Sequence, residues 1–211
     1  MKHIVAVNAG PRKGWNTDLL VNKAAEGARS AGAEVEIIDL YKLEKYTGCV
    51  SCFGCKTAGH LGRCVQRDGL APALEKIEHA DGLILGTPIY LGEVTAACRA
   101  LIERLIFPRI TYKTEPRSYT ERRIGALFIL THNAPEGAYA ELAKRYQGML
   151  EGFVGPTRTL AAGATLQVND YDRYGWTMFD PAERKARRET VFPETEKEAC
   201  ALGAALAGDE Y

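Results

Sequence analysis

A short apolar run that passes through a glycine-containing turn into a helical pattern constrains this chain more than any other feature. Ile4-Val5-Ala6-Val7 is apolar throughout, as in a strand buried on both faces. Asn8-Ala9-Gly10-Pro11-Arg12-Lys13-Gly14-Trp15 follows as a turn. From Asn16 and Thr17 onward, Leu19, Leu20, Val21, Ala24 and Ala25 recur at helical spacing. Strand, turn and helix start in that order make an anion site. The first N–H groups of the helix lack intrahelical acceptors, and the aligned peptide dipoles place partial positive charge there. Arg12 adds a planar, permanent cation suited to phosphate. The same turn also fits an ordinary first βα connection with an Asn N-cap, and spacing alone does not separate the two.

The rest of the chain repeats the alternation. Helix is expected over 16–31, strand over 34–40, helix over 72–79 and strand over 81–86, with a turn at 87–92. Helix follows over 94–107, strand over 124–130 and helix over 136–150. A fifth strand over 153–162 carries Pro156, which argues for an edge position or a break. Residues 181–207 are mostly helical, with an interruption expected at Pro193. Nearly all-apolar strands alternating with helices imply a parallel sheet covered on both faces. The fold class is therefore α/β: a doubly wound, five-stranded parallel sheet of order 2-1-3-4-5 in three layers. One domain over 1–211 is expected, with a C-terminal extension over 165–211.

With 27 Lys+Arg against 27 Asp+Glu in 211 residues, the formal net charge is zero, so no basic field points to nucleic acid. No apolar run approaches the roughly 18–20 residues of a bilayer span, and Met1-Lys2-His3-Ile4 enters a strand directly. The expectations are no signal peptide, no membrane partner and a cytoplasmic location. Two nucleotide motifs are missing. No G-x-G-x-x-G follows the first strand. Gly54–Leu61 has P-loop spacing but lacks the Lys-Ser/Thr that holds phosphate and magnesium.

In a doubly wound sheet, ligands bind beyond the carboxyl ends of the strands, where the loops 8–17, 87–92 and 131–134 converge. Gly10-Pro11-Arg12-Lys13-Gly14-Trp15-Asn16-Thr17 resembles the phosphate loop of NADPH-dependent FMN reductase-like flavoproteins, with Ala9-Gly10 in place of the more usual Gly-Ser. Thr87-Pro88-Ile89-Tyr90 with Gly92 resembles their second flavin loop. The clustered cysteines and Val168-Asn169-Asp170-Tyr171 resemble the iron–sulfur flavoprotein branch, as does the stretch 178–193.

The resemblance implies a flavodoxin-like fold and non-covalent FMN. Pro11, Arg12, Gly14, Asn16 and Thr17 would hold the phosphate. Thr87, Pro88, Ile89, Tyr90 and Gly92 would line the isoalloxazine, and Thr131, His132 and Asn133 would form a third wall. It also implies a homodimer or homotetramer with flavin sites near subunit interfaces. Tyr171, Tyr174 and Trp176 are candidate aromatic anchors for such an interface.

Six cysteines are present, and Cys49, Cys52, Cys55 and Cys64 fall within sixteen residues. Four soft thiolates suit a [4Fe–4S] cluster or zinc. The resemblance favours iron–sulfur, although the eight residues between Cys55 and Cys64 exceed the usual gap. Relatives without a cluster keep such cysteines as thiols. Cys98 and Cys200 fall in helical patterns and are expected to be small buried residues.

The expected function is an FMN-dependent oxidoreductase fed by NAD(P)H, passing electrons to a flavin, quinone, metal or protein acceptor. No side chain is required as nucleophile or general base. Two alternatives stand: an iron–sulfur flavoprotein exchanging electrons with a ferredoxin, and a non-catalytic flavin-binding thiol sensor. Arg117, Arg122 and Arg123 are candidates for an NADPH 2′-phosphate contact.

Overall fold

The computed structural model describes residues 1–208; residues 209–211 of the expected domain and its extension lie outside the described residues. Five parallel strands form the main sheet: β1 (His3–Asn8), β2 (Glu34–Asp39), β3 (Gly82–Tyr90), β5 (Gly125–Thr131) and β6 (Thr157–Ala162). Their spatial order is β2-β1-β3-β5-β6, and the two-residue β4 (Glu93–Val94) pairs antiparallel with the end of β3. In chain order of the parallel strands this is the expected 2-1-3-4-5.

The helices are α1 (Asn16–Ser30), α2 (Ala71–His79), α3 (Ala96–Ile106), α4 (Ala140–Phe153), α5 (Pro181–Thr190) and α6 (Phe192–Ala207). Alternation along each strand sends side chains to opposite layers. Val5, Val7, Leu83, Leu85, Phe128 and Leu130 pack with α2, α3 and α4 on one face. Ile4, Ala6, Ile84, Leu127, Ile129 and Leu160 pack with α1 and α6 on the other.

Several element boundaries differ from the sequence expectation. β3 runs on through residues 87–90, which the sequence suggested as a turn, because β5 pairs beside it as far as Pro88↔Thr131 and β4 pairs with Ile89 and Tyr90. β6 starts after Pro156, whose missing N–H excludes it from the ladder. The last helical stretch breaks at Val191 rather than at Pro193; Pro193 sits in the first turn of α6, where its missing N–H costs nothing.

α6 is also no appendage. It packs along α1 at backbone contact: a Cβ on Gly27 would lie 1.8 Å from the Cys200 carbonyl oxygen, and one on Gly203 would lie 1.9 Å from that of Ala24. The chain's last helix therefore completes one layer of the sandwich.

The register places Asn8 beside Gly86, and Pro88 beside Thr131. The carboxyl ends of β1, β3 and β5 thus share one edge, where the site is built. Arg122 and Arg123 precede β5 and so lie at the opposite edge. There Arg122 donates to the Glu78 carbonyl (2.8 Å) and Asp81 (3.1 Å), and Arg123 donates to the carbonyls of Glu151 and Gly152. Their location excludes a direct role at the cleft for these two candidates.

Candidate functional site

The cleft has a volume of about 220 Å³ and is walled by residues 10–12, 15–17, 88–90 and 131–133. A fourth segment, Thr165-Leu166-Gln167, joins them. Of the thirteen residues expected to bind the cofactor, Pro11, Arg12, Asn16, Thr17, Pro88, Ile89, Tyr90, Thr131, His132 and Asn133 line it.

Gly14, Thr87 and Gly92 do not; each shapes the walls from behind. Gly14 has φ +73, the left-handed region that glycine enters without strain. Gly92, at φ +80, follows Leu91 at φ 51 in the β3–β4 turn. Thr87 is fully buried, and its Oγ1 accepts from the Thr95 N–H at 3.3 Å. Thr95 caps α3, accepting from the Cys98 N–H, and donates to the Ala9 carbonyl at 2.9 Å. The first two loops are therefore tied together through Thr95.

Asn16 is the first helical residue and not the N-cap. Trp15 holds that position without a side-chain cap. The Asn16 side chain is engaged elsewhere: its Nδ2 donates to the Leu166 carbonyl (2.8 Å), and its Oδ1 accepts from Arg188 (3.1 Å). No side chain caps the first turn of α1, so its orphan N–H groups stay available to an anion. Arg12 stacks on the Trp15 ring at 3.5 Å and donates to the Gln167 carbonyl at 2.7 Å, placing its cation at the rim.

Asp18 holds this loop in shape. Its carboxylate is buried in the first turn of α1 and accepts from the Gly14 N–H (2.8 Å), Asn8 Nδ2 (3.1 Å) and Lys13 Nζ (2.8 Å). Asn8 also donates to Asp39 at 3.0 Å, and its Oδ1 accepts from the Gly10 N–H at 2.9 Å. Burial works to raise the Asp39 pKa, but hydrogen bonds from Lys42 and Asn8 and the charges of Lys13 and Lys42 outweigh it and hold it low. The sequence reading missed Asp18, Asn8, Trp15 and the 165–167 segment. An acidic residue in the first turn after a glycine-containing loop was the available signal for Asp18. Nothing local marks 165–167, which reaches the cleft only through tertiary contacts.

The third wall is fixed from beneath. Thr17 and Thr131 hydroxyls meet at 2.7 Å. His132 is buried against Tyr139, edge to face at 4.8 Å, and its Nδ1 lies 3.1 Å from the Ala134 carbonyl. A carbonyl partner requires Nδ1 to carry the proton. Burial lowers the His132 pKa, opposed by the Ala134 carbonyl and the Glu136 charge, so the ring is neutral at pH 7 with Nε2 as an acceptor. The Thr165 N–H and hydroxyl both reach the His132 carbonyl, at 3.1 and 3.0 Å.

These features fit a flavin mononucleotide. The lining contains no carboxylate, and an open helix N-terminus and Arg12 stand at one end. A Cβ on Gly10 would come within 3.1 Å of Asn8 Oδ1 and Thr17 Cβ, so the backbone there is packed for close approach. Pro88, Ile89 and Tyr90 supply a mainly apolar wall beside 131–133.

The NADPH-dependent FMN reductase family model matches residues 2–165. The chain belongs to this family. An iron–sulfur flavoprotein of Archaeoglobus fulgidus is 37% identical over 103 residues, or 48% of this chain and 47% of that protein. In that comparison the chain spans about half the length of its relative. An iron–sulfur flavoprotein of Methanosarcina thermophila is 24% identical over 198 residues, 93% of each chain. An azoreductase from Bacillus anthracis shares the fold at a TM-score of 0.68, with 18% identity over 97% of this chain and 99% of its own.

None of the clustered cysteines lines the cleft; they lie on the loop against α3. Lys56 anchors that loop by donating to the carbonyls of Phe107, Pro108 and Ile110 at 2.5–2.9 Å. Arg104, buried in α3, donates to both Asp68 oxygens (2.6 and 2.7 Å), to the Thr47 and Gln66 carbonyls, and to Cys64 Sγ at 3.3 Å. Cys55 is buried and Cys52 exposed, with Cys49 and Cys64 between. Burial raises the Cys55 thiol above its ordinary pKa, Lys56 opposes this, and Cys64 and Cys49 push the same way as burial.

Among the described residues, no three or more Cys, His, Asp or Glu side chains are gathered closely enough to hold a metal ion. The donor chemistry of the four thiols suits an iron–sulfur cluster, but their arrangement is not a coordination sphere. Of the other two cysteines, Cys98 is fully buried, with its thiol pushed up to about 12 by burial, whereas Cys200 is only half-buried.

Proposed function

We propose that this chain is an FMN-dependent oxidoreductase that takes electrons from NAD(P)H and passes them to a small-molecule or protein acceptor. The observation that carries the reading is the convergence of the uncapped α1 N-terminus, Arg12 and the 88–90 and 131–133 walls on one carboxylate-free cleft. Bound FMN would supply the redox chemistry itself, accepting a hydride and releasing electrons. The chain's residues bind and orient it. The α1 N–H groups, Thr17 and Arg12 would hold the phosphate, which two negative charges and three acceptor oxygens suit. Pro88, Ile89 and Tyr90 would cover one face of the ring system and exclude water. Neutral His132, with Nδ1–H committed to Ala134, brings no positive charge to the third wall. We also read the protein as cytoplasmic and, from half-exposed aromatics such as Tyr174 and Trp176, as a homodimer or homotetramer.

The test is titration of the purified protein with FMN and riboflavin, followed by anaerobic mixing with NADH or NADPH. Saturable FMN binding and bleaching of the flavin band are expected. A protein that neither contains nor rebinds FMN refutes the proposal. The similarity to iron–sulfur flavoproteins favours, as a second reading, an iron–sulfur flavoprotein that exchanges electrons with a ferredoxin-like partner. Anaerobic purification with iron and sulfide analysis decides it: about four irons per chain support it, and flavin without iron rejects it.

A further inference from the structure

A second cavity lies at the amino-terminal edge of the sheet, remote from the cleft. It opens between the ends of α2 and α3 and the segment that leads into β5, and has a volume of about 340 Å³. Its apolar wall is Leu74, Ile77, Leu105 and Ile124. Four guanidinium groups also line it, and three are matched to carboxylates. Arg104 pairs with Asp68, Arg63 with Glu78 at 2.7 Å, and Arg122 with Asp81 at 3.1 Å.

Arg109 is different. It is only 8% exposed, yet no ion pair to it is present among the described residues. One N–H, on Nη1, donates to the Phe153 carbonyl at 2.6 Å. A guanidinium has five N–H donors in a rigid fork, and the described residues supply no acceptor for the others. Burial lowers the Arg109 pKa; Glu78 opposes this, and Arg122 and Arg123 reinforce it. Even lowered, a guanidinium stays charged at neutral pH. A buried cation without a paired anion is costly; the carboxylate that lines this cavity, Glu78, is bound to Arg63, and Arg109 faces the cavity without an ion pair of its own. Thr120 stands on the same wall as a further donor.

We propose that this cavity is a binding site for a small organic oxyanion, its carboxylate or phosphate head on Arg109 and its apolar body on Leu74, Ile77, Leu105 and Ile124. The fork of Arg109 receives both oxygens of such a head, and Arg122 closes the open side. Inorganic anions lack the body, and neutral aromatics lack the head. The site is independent of the flavin cleft and of what the cleft binds.

The test is calorimetric titration of the FMN-saturated protein with benzoate, phenyl phosphate, benzyl alcohol and inorganic phosphate. Saturable binding of benzoate or phenyl phosphate is expected, and which of the two binds tighter identifies the natural head group. Arg109→Gln is expected to weaken that binding about tenfold or more, as befits loss of a charge-assisted bidentate contact, and Arg122→Gln to weaken it less. Benzyl alcohol or inorganic phosphate binding as tightly as benzoate overturns the proposal, as does unchanged binding in Arg109→Gln. Should Arg109→Gln not fold, photolabelling of the unaltered protein with 4-azidobenzoate replaces it. Label on residues 74–79, 105–109 or 120–124 supports the site, and label confined elsewhere rejects it.

Discussion

Replacing Asp18 with alanine tests whether the phosphate loop is preorganised by its own network. The carboxylate accepts four side-chain or backbone donors: the Gly14 N–H, Asn8 Nδ2, Lys13 Nζ and Asn22 Nδ2. The losses are unequal. Lys13 is more than half exposed and has Asp39 at 3.8 Å as a second partner, so its share is about 0–1 kcal/mol. Asn22 keeps its bond to the Asp18 carbonyl at 2.7 Å. The Gly14 N–H and one Asn8 N–H are left without an acceptor, and each orphaned donor costs about 1–3 kcal/mol when buried. The Gly14 site is only partly buried, so the sum is about 2–4 kcal/mol. Part of this falls on global stability and part on the loop alone. If about 1.4 kcal/mol falls on the loop, the Kd for FMN rises about tenfold. Flavin fluorescence titration measures the Kd, and urea unfolding measures the stability. Asp18→Asn keeps the size and one acceptor oxygen, and should lie between the wild type and alanine. Tighter FMN binding in both variants would refute the reasoning, because it would mean that charge repulsion from Asp18 outweighs its role in shaping the loop.

Arg12→Ala is expected to weaken FMN binding by roughly 1.5–3 kcal/mol, the range for a hydrogen bond to a charged group, while riboflavin binding barely changes; equal losses for both ligands contradict a phosphate contact. Gly203→Ala should destabilise the fold strongly, because its Cβ would fall 1.9 Å from the Ala24 carbonyl oxygen and α6 would have to leave α1; thermal unfolding within about 2 °C of wild type contradicts that packing. Asp68→Asn strips the buried Arg104 of its anion and should cost about 3 kcal/mol, the low end for a broken buried pair because Asp68 is partly exposed, as read by urea unfolding. His132 has a folded pKa below its ordinary 6.5, so the unfolded chain binds more protons between the two values, and stability must fall as pH drops through that window. His132→Gln should flatten the stability-versus-pH curve below pH 6.5, and an unchanged curve removes His132 as the cause.

The sequence by itself determined the parallel sheet, its strand order and the position of the cleft. These rest on local signals that survive folding. All-apolar runs of strand length are buried wherever they go, and crossover connections between parallel strands have one favoured hand. Once Ile4–Val7, Leu83–Leu85 and Ala126–Leu130 are strands, their carboxyl ends must share an edge. Ten of the thirteen expected binding residues accordingly line one cleft.

The tertiary structure decided what depends on partners distant in the chain. Asn16 is not a cap because Leu166 and Arg188, some 150 and 172 positions away, claim its side chain. Residues 87–90 are strand because β5 continues beside Thr87 and Pro88 and β4 pairs with Ile89 and Tyr90. Gly27 and Gly203 appear unremarkable in sequence, yet each is the only residue type that admits the other helix's backbone. Arg122 and Arg123 were plausible cleft residues until the register placed them at the opposite edge. The spacing of the four clustered cysteines suggested a coordination sphere, whereas the fold draws Cys64 toward Arg104, buries Cys55 and leaves Cys52 in solvent. Spacing along a chain fixes which residues are near neighbours in a strand or helix. In a loop, only the contacts that anchor it determine where a side chain ends.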